Sequence, residues 1–296
     1  MFQGTGILNF LEYFKDDEDC KSYLYDIKWH QGYECKSCGH TGWCDTKDPY
    51  VRKCNRCKYK ESATAHTLFH KCKFSLRKAF LIVYYMSVKK KGISSHELSR
   101  QLELRQKTCW LFQQKVRQAM KSSKQHPMKG KVEVDEFVIG GPEEGKKGRS
   151  QGKKKLVVLG IECDDFGIHR FYARHIENAG AKQLRPFFED HIDPLAAVRT
   201  DKWRSYKTIS QDYPNLVQEK SEKGKNFKKL HRQVMMIKGW LRGTYHHCLH
   251  LQHYLDEHSY RFNRLKTIGT IFNNLIKKMI KANPVTYNDL KLIWGS

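Results

Sequence analysis

Two sets of side chains in this sequence of 296 residues have the types and spacing that chemistry needs. The first reads Cys35-x2-Cys38, fifteen residues, then Cys54-x2-Cys57. Each pair suits a tight knuckle that presents two thiolates, and two knuckles complete a tetrahedral zinc site of the ribbon type. Four thiolates close such a site, so it holds a fold and performs no reaction, and the nearby Cys44, Cys72 and His40 are left for packing or surface. The second set is a pair of aspartates. Asp135 stands in the middle of Val132-Glu-Val-Asp-Glu-Phe-Val-Ile139, a strand pattern in which a carboxylate is costly unless it binds something. Period-two geometry puts Glu133, Asp135 and Phe137 on one face of that strand. Asp201 stands where the apolar run Ala197-Val-Arg-Thr200 ends, the usual address of chemistry in an α/β sheet. Two carboxylates placed in this way can share hard cations such as Mg²⁺ or Mn²⁺, and the plain alternative is a surface or capping acid at each position.

The elements that must position these residues follow from periodicity. Residues 1–72 hold the ribbon. From Ser75 the pattern turns helical, with Leu76, Phe80, Val83 and Tyr84 at three- and four-residue spacing, until Lys89-Lys-Lys-Gly92 stops it. Ser94 or Ser95 can cap a second helix carrying Leu98 and Leu102, and a short turn leads to a third from Gln106. Residues 73–120 therefore read as a helical, helix-turn-helix-like segment. In a DNA-binding reading Gln106, Lys107 and Gln113 face the groove; in the alternative the helices are a hairpin packed on its neighbour. Residues 121–130 are polar, hold Pro and Gly, and read as a linker. Residues 131–265 begin with three strands, at 132–139, 155–162 and 168–174, with Asp164-Asp-Phe-Gly167 as a hairpin turn. A helix over 183–190, a short strand over 196–200 and a helix from His231 to Leu241 follow, which makes the domain mixed α/β. Residues 266–296 form a C-terminal helical tail.

Composition narrows the partner. With 55 Lys+Arg against 31 Asp+Glu the net charge is +24, which calls for a polyanion, and 39% hydrophobic residues exclude a wholly disordered basic chain. The longest apolar run, Ala79 to Val88, is far short of the roughly 18–20 residues of a membrane span, and early Asp16, Asp17, Glu18 and Asp19 do not fit a secretory signal. The expected place is the cytoplasm, on the nucleoid when bound to DNA.

Four segments in order carry a resemblance: Glu133-Val-Asp135-Glu-x-x-Ile-Gly-Gly141, Thr200-Asp201-x-Trp203-x-x-Tyr206, Lys238-x4-Gly243-Thr-Tyr-His-His247, and His250-Leu-Gln-x-Tyr-Leu-Asp-Glu257-x3-Arg261-Phe-Asn263-Arg264. Together they resemble bacterial insertion-sequence transposases of the DDE superfamily, in the branch with an N-terminal zinc ribbon. Lys28-Trp29, the Cys-x2-Cys pairs and the Gly92-Ile-Ser-Ser segment match that branch as well.

The resemblance implies an RNase H-like domain in which Asp135, Asp201 and a third residue hold two divalent ions. The superfamily commonly places Glu seven residues before a Lys or Arg; here His231 stands seven before Lys238. Some members of the branch carry Asn or His there, so the site reads as Asp-Asp-His. Seven residues are two helical turns, which puts His231 and Lys238 on one helix face. Glu257 is the competing third ligand. Imidazole is softer than carboxylate, which favours Mn²⁺ relative to Mg²⁺. The implied activity is metal-dependent cleavage and strand transfer at the ends of an insertion sequence.

Residues 202–296 carry 18 Lys+Arg and 6 Asp+Glu, so phosphate contact is expected mainly there. The expected agents are Lys228, Lys229, Lys238 and Arg242, then Lys223, Lys225 and Arg232, with Lys146, Lys147 and Lys153 to Lys155 from a Gly- and Lys-rich excursion. The partner is then double-stranded DNA, both transposon end and target, and pairing of two ends implies a homodimer or higher. The alternative is a non-enzymatic or domesticated zinc-ribbon and helix-turn-helix DNA-binding protein, which the missing third carboxylate favours and the intact Asp135 and Asp201 segments oppose.

Overall fold

A computed structural model describes residues 2–141, 154–245 and 250–294, with backbone alone at 223–224 and 291–294. Lys146, Lys147, Lys153, His246 and His247 lie outside the described residues, as does the side chain of Lys223. The chain forms two compact units, Met1–Met120 with Thr267–Ser296, and Lys121–Lys266.

In the first unit α1 (Ile7–Tyr13) and α2 (Asp17–Trp29) precede a three-stranded antiparallel sheet of β1 (Trp43–Asp45), β2 (Val51–Cys54) and β3 (Lys60–Ser62). Then come α3 (Leu76–Val88), α4 (Ser95–Leu102) and α5 (Gln106–Met120). The starts are set by short polar side chains. Asp16 accepts from the N–H groups of Glu18 and Asp19, Ser75 from Lys78, and Ser94 from Glu97, each satisfying a donor that the first turn leaves without a partner.

The second unit runs β4 (Lys131–Ile139), β5 (Lys155–Asp164), β6 (Gly167–Ile176), α6 (Ala181–His191), β7 (Ala197–Thr200), α7 (Tyr206–Ile209), β8 (Leu216–Gln218), α8 (Lys228–Thr244) and α9 (Leu251–Phe262). Its sheet has the order β6-β5-β4-β7-β8. The β4–β5 and β5–β6 pairs are antiparallel, and β4–β7 and β7–β8 are parallel. Three antiparallel strands followed by two parallel ones, with helices on both faces, is an RNase H-like arrangement. Among the described residues no helix is long and apolar enough to cross a membrane.

Side-chain alternation divides the core of this unit in two. Val132, Val134 and Val158 pack with Leu184, Phe187 and Phe188 of α6 and with Tyr206. Val157, Leu159 and Ile161 pack on the other face with Leu230, Val234, Ile237 and Leu241 of α8 and Leu255 of α9. β5 is therefore apolar on both faces, as a central strand must be. Gly160 lets the layers meet, since a Cβ there would lie 2.8 Å from Met128 Cε and 3.1 Å from the Phe187 ring.

The chain then returns to the first unit through α10 (Ile271–Lys281) and α11 (Tyr287–Trp294). Phe272 of α10 sits 5.5 Å from the ring of Phe2, 5.6 Å from Phe10 and 5.7 Å from Phe80, inside a cluster of aromatic residues from α1, α2 and α3. Buried Asn273 accepts from the Tyr23 hydroxyl and donates to the Phe2 carbonyl, and Leu68 N–H donates to the Met279 carbonyl at 3.0 Å. The segment expected as a tail thus helps to build the N-terminal core.

The edge of the larger sheet is covered by side chains. β6 is an edge strand, and unpaired backbone there invites pairing with other chains. Asn263 Oδ1 accepts from Phe171 N–H at 2.9 Å while its Nδ2 donates to the Phe171 carbonyl at 3.0 Å. Gln252 does the same further along, accepting from His175 N–H at 2.9 Å and donating to the Ala173 carbonyl at 3.2 Å. Two carboxamides on or beside α9 thus imitate a neighbouring strand. Asn263→Ala is expected to lower the stability of this unit by about 1–3 kcal/mol, the cost of leaving both groups of Phe171 unpaired. Urea unfolding measures it; an unchanged midpoint would show that the clamp contributes nothing.

Candidate functional site

The ribbon is built by its backbone. Gly39 at φ +72° donates its N–H to the Cys35 carbonyl at 2.9 Å, and Lys58 at φ +61° donates to the Cys54 carbonyl at 3.1 Å, so each Cys-x2-Cys pair closes a matching turn. The ligand atoms of Cys35, Cys38, Cys54 and Cys57 all lie within 4.8 Å of one another, with Cys35 Sγ 3.5 Å from Cys57 Sγ and Cys38 Sγ 3.7 Å from Cys54 Sγ. That is the packing of four sulfurs about one tetrahedral ion. Burial acts to raise the Cys35 thiol, but the Ser37 and Cys38 N–H groups and the neighbouring Cys57 and Tyr33 outweigh it and bring it down to about 6, toward the thiolate a metal needs. Cys44, Cys72 and His40 stay outside the cluster.

Helix α2 is pinned to this module by charge and rings. Lys28 Nζ pairs with Glu61 at 2.7 Å, with both side chains buried, and donates to the Ser62 and Ala65 carbonyls. The Arg52 guanidinium stacks 3.8 Å from the Trp43 ring centre and 4.7 Å from that of Trp29. This explains why Lys28-Trp29 accompanies the cysteines.

Helices α4 and α5 meet at a tight turn through Glu103 at φ +52°. Of the three residues expected to face a DNA groove, only Lys107 is exposed. Gln106 donates to Ser95 Oγ at 2.6 Å. Gln113 is buried and donates to the Ile93 carbonyl at 2.8 Å, so its expected groove-facing position is corrected. The reason is packing, since α5 lies against α3, α4 and α10, and a glutamine can sit inside only where a carbonyl receives it.

The carboxylates sit in the second unit. The parallel register pairs Glu133 with Arg199 and Val134 with Thr200, so Asp135 of β4 and Asp201, which directly follows β7, are the next residues of the two segments. Asp135 lies opposite Leu159 of β5, whose side chain belongs to the face that α8 covers. Helix α8 runs along this face. The Leu230 N–H near the helix start lies close enough to the Glu133 carboxyl to favour its charged form, and Lys238 Nζ stands 5.6 Å over the Phe137 ring eight residues on. Asp135 lies between those two contacts on the strand, and His231 lies between them on the helix. The Nε2 of His231 is buried and has no hydrogen-bond partner. A buried imidazole nitrogen left in this way suits a metal ligand. The ligand atoms of the three residues do not draw within 4.8 Å of one another; among the described residues only the four cysteines do so.

Two interactions fix these segments. Arg199 donates to Glu219 at 2.8 and 3.2 Å, to Glu133 at 3.4 Å and to the Asn226 carbonyl at 3.4 Å, tying β4, β7 and the approach to α8 together. Burial raises the Glu133 carboxyl and Arg199 opposes that rise. On the other face of β4, the buried Tyr206 hydroxyl donates to Glu136 at 2.5 Å. Burial holds the Tyr206 phenol well above its ordinary range, and Glu136, Asp135 and Asp201 add to the effect. This bond joins the segment after Asp201 to the residue after Asp135, which accounts for Glu136 and Tyr206 in the two motifs. Asp201 Oδ1 accepts from Trp203 N–H at 2.9 Å, and the Trp203 indole donates to the Ala179 carbonyl at 2.8 Å. The role of Arg199 gave one signal in the sequence, a charge inside an apolar strand two residues before Asp201.

The competing ligand has other partners. Glu257 is fully buried, lies 3.6 Å from Arg261 and accepts from the Tyr245 hydroxyl at 3.3 Å. Among the expected phosphate contacts, Lys228, Lys225, Arg232 and Arg242 are exposed. Burial and the neighbouring Arg242 lower the Lys238 ammonium. Lys229 donates to the Asp164 carbonyl instead, on the helix flank about 160° from His231.

Residues 127–263 match the family model of the ISXO2-like transposase domain, and residues 15–60 match that of the transposase zinc-ribbon domain. Among solved structures, the chain is similar to a pre-cleavage Mos1 transpososome at 11% identity and a TM-score of 0.28, over 69% of this chain and 78% of that one. It is also similar to the Mos1 strand transfer complex at 11% identity and a TM-score of 0.27, over 70% and 78%. No curated protein matches the sequence.

Cys35→Ser is expected to remove the bound zinc and loosen the N-terminal unit, because metal affinity and folding are one equilibrium in such modules. Metal analysis of the purified protein together with circular dichroism reads this; full zinc content with unchanged helicity would refute the four-thiolate site.

Proposed function

We propose that this chain, which belongs to the insertion-sequence transposases that carry a zinc ribbon ahead of an ISXO2-like transposase domain, binds the ends of its element, cuts a DNA strand there and joins the freed end to target DNA. The observation that carries the reading is that Asp135 stands on β4 and Asp201 directly follows the adjacent parallel β7, with β4 packed beneath a basic helix whose His231 Nε2 lacks a partner. Water first attacks the scissile phosphorus in line and a 3′-OH leaves. That 3′-OH then attacks a target phosphodiester, so one ester replaces another and no high-energy cofactor is consumed.

Asp135, Asp201 and His231 are the residues that would hold Mg²⁺ or Mn²⁺. Two such ions would neutralise charge at the phosphate and acidify the attacking water. Lys238, two turns beyond His231 on the same helix face, meets the DNA phosphate, with Arg242 and Lys228 flanking it. Glu257, held by Arg261 and Tyr245, orders α9 in this reading. Because two ends must be brought together, the working form on DNA is a homodimer or larger.

The test incubates purified protein with DNA carrying the terminal repeat and its flank, in Mn²⁺ or Mg²⁺, and looks for a strand nick. Asp135→Ala, Asp201→Ala and His231→Ala are each expected to reduce nicking by about a thousandfold or more, as loss of a metal ligand should. His231→Glu retains part of the Mg²⁺-dependent activity. Nicking by His231→Ala at the native rate would remove His231 from the site, and binding without cutting in either metal would favour a non-enzymatic DNA-binding protein.

A further inference from the structure

Helix α8 has an outward face of which the catalytic reading uses only Lys228 and Arg242. Its seventeen residues contain Lys228, Lys229, Arg232, Lys238 and Arg242 and no acidic residue. The exposed positions are Lys228, Arg232, Met235, Met236, Gly239, Arg242 and Gly243, which fall within an arc of about 120° at 100° per residue. Met235 and Met236 are 61% and 42% exposed. Single exposed apolar residues are ordinary, but two adjacent thioethers on a cationic helix face are not explained by packing among the described residues.

The same face carries two interior glycines, each costing a helix up to about 1 kcal/mol relative to alanine. Neither is required by the fold, since a Cβ at Gly239 or Gly243 would meet nothing within 4 Å. Gly239 lies at the centre of the arc, and Gly243, one turn on, lies about 40° to one side of it. Arg232, Arg242 and Lys228 have no anionic partner among the described residues, so the face intersperses cations with soft apolar groups and bare backbone. Met235 lies about 40° around the helix from His231 and one turn further on, so the face borders the edge that carries the proposed metal ligand.

We propose that this face seats an opened DNA end, with Met235 and Met236 packed against unstacked bases, the sugar–phosphate backbone lying close over Gly239 and Gly243, and Arg232 and Arg242 on the flanking phosphates. The charge selects a polyanion. The methionines select one whose base faces are accessible, because in a closed duplex those faces are covered by stacking, and thioether sulfur makes favourable contacts with aromatic rings. Opening the last base pairs also lets the scissile strand reach Asp135 and Asp201 unaccompanied. This rests on the transposase reading of the site, and it adds a contact that chooses melted over paired ends.

The test is made on full-length protein in about 0.15 M salt, which suppresses non-specific contacts. Fluorescence anisotropy without catalytic metal compares a fully paired terminal repeat with one whose last base pairs are mismatched. The native protein is expected to bind the mismatched end roughly tenfold more tightly, and Met235→Ala with Met236→Ala to lose that preference while keeping its affinity for the paired end. Gly239→Ala is expected to raise the melting temperature, as alanine for an unconstrained helical glycine does, yet weaken binding of the mismatched end. Equal native affinity for both ends, or a Gly239→Ala protein that is more stable and binds unchanged, would overturn the proposal. Since the readout is binding, a chain that shows the preference and cuts in neither metal would lose the proposed activity and keep this seat.

Discussion

Glu133 and Arg199 form the interaction on which the geometry of the second unit depends. A carboxyl on the covered face of β4 is expensive to bury, and it is kept there by a guanidinium from β7, while the nearby Leu230 N–H in the first turn of α8 favours its charged form. Three elements that share no sequence neighbourhood thereby acquire one common point. An apolar pair of the same volume would pack as well, but it would not specify where along the strands the helix begins. The register matters because Asp135 is two residues beyond Glu133, Asp201 is two beyond Arg199, and His231 is one beyond Leu230. Each proposed ligand is a short step from a member of the network, so an error in seating α8 would be carried directly to the site.

The segments that carry the resemblance contain more support than chemistry. Tyr206 reaches across the sheet to Glu136, Trp203 fastens the loop after β7 to Ala179, and Gln252 and Asn263 close the edge of β6. Glu257 and Arg261 form a buried pair on α9 itself. Such residues are polar and look functional in a sequence. They satisfy buried or edge-exposed backbone and side-chain groups, a requirement as strict as any imposed by substrate. Separating the two kinds needs the partner of each polar atom, which spacing does not supply.

What the sequence made legible was what local pattern encodes. The Cys-x2-Cys spacing specifies its own knuckles, period-two alternation marks β4 to β6, and the i, i+7 relation of His231 and Lys238 is a property of one helix. Less legible were contacts between distant segments. Nothing near Gln113 announces that it is covered, because part of what surrounds α5 is α10, more than 150 residues later. Phe272 and Asn273 read as a polar-flanked tail helix until Phe2, Phe10 and Tyr23 are seen to need them. Lys229 and Lys238 look alike on paper, yet one is bound to a carbonyl of β5 and the other stands over Phe137. In each case the deciding energy is a burial or a hydrogen bond between residues whose separation leaves no periodic trace.

The charge of α8 shows how such compensation works. Lys228 and Lys229 occupy the first turn, where the positive end of the helix dipole makes cations unfavourable, and no acidic residue of the helix offsets them. The offset comes from β4, whose Glu133 carboxyl lies near the N–H of Leu230 at that same helix end. A carboxylate inside the helix could do this electrostatically, but it would place an anion on the surface that a polyanion must approach. Supplied from below by the sheet, the negative charge stabilises the helix start while the outward face stays free of acidic groups. An imidazole at position 231 is consistent with the same constraint, since it can donate an electron pair to a cation without adding an anion to that helix.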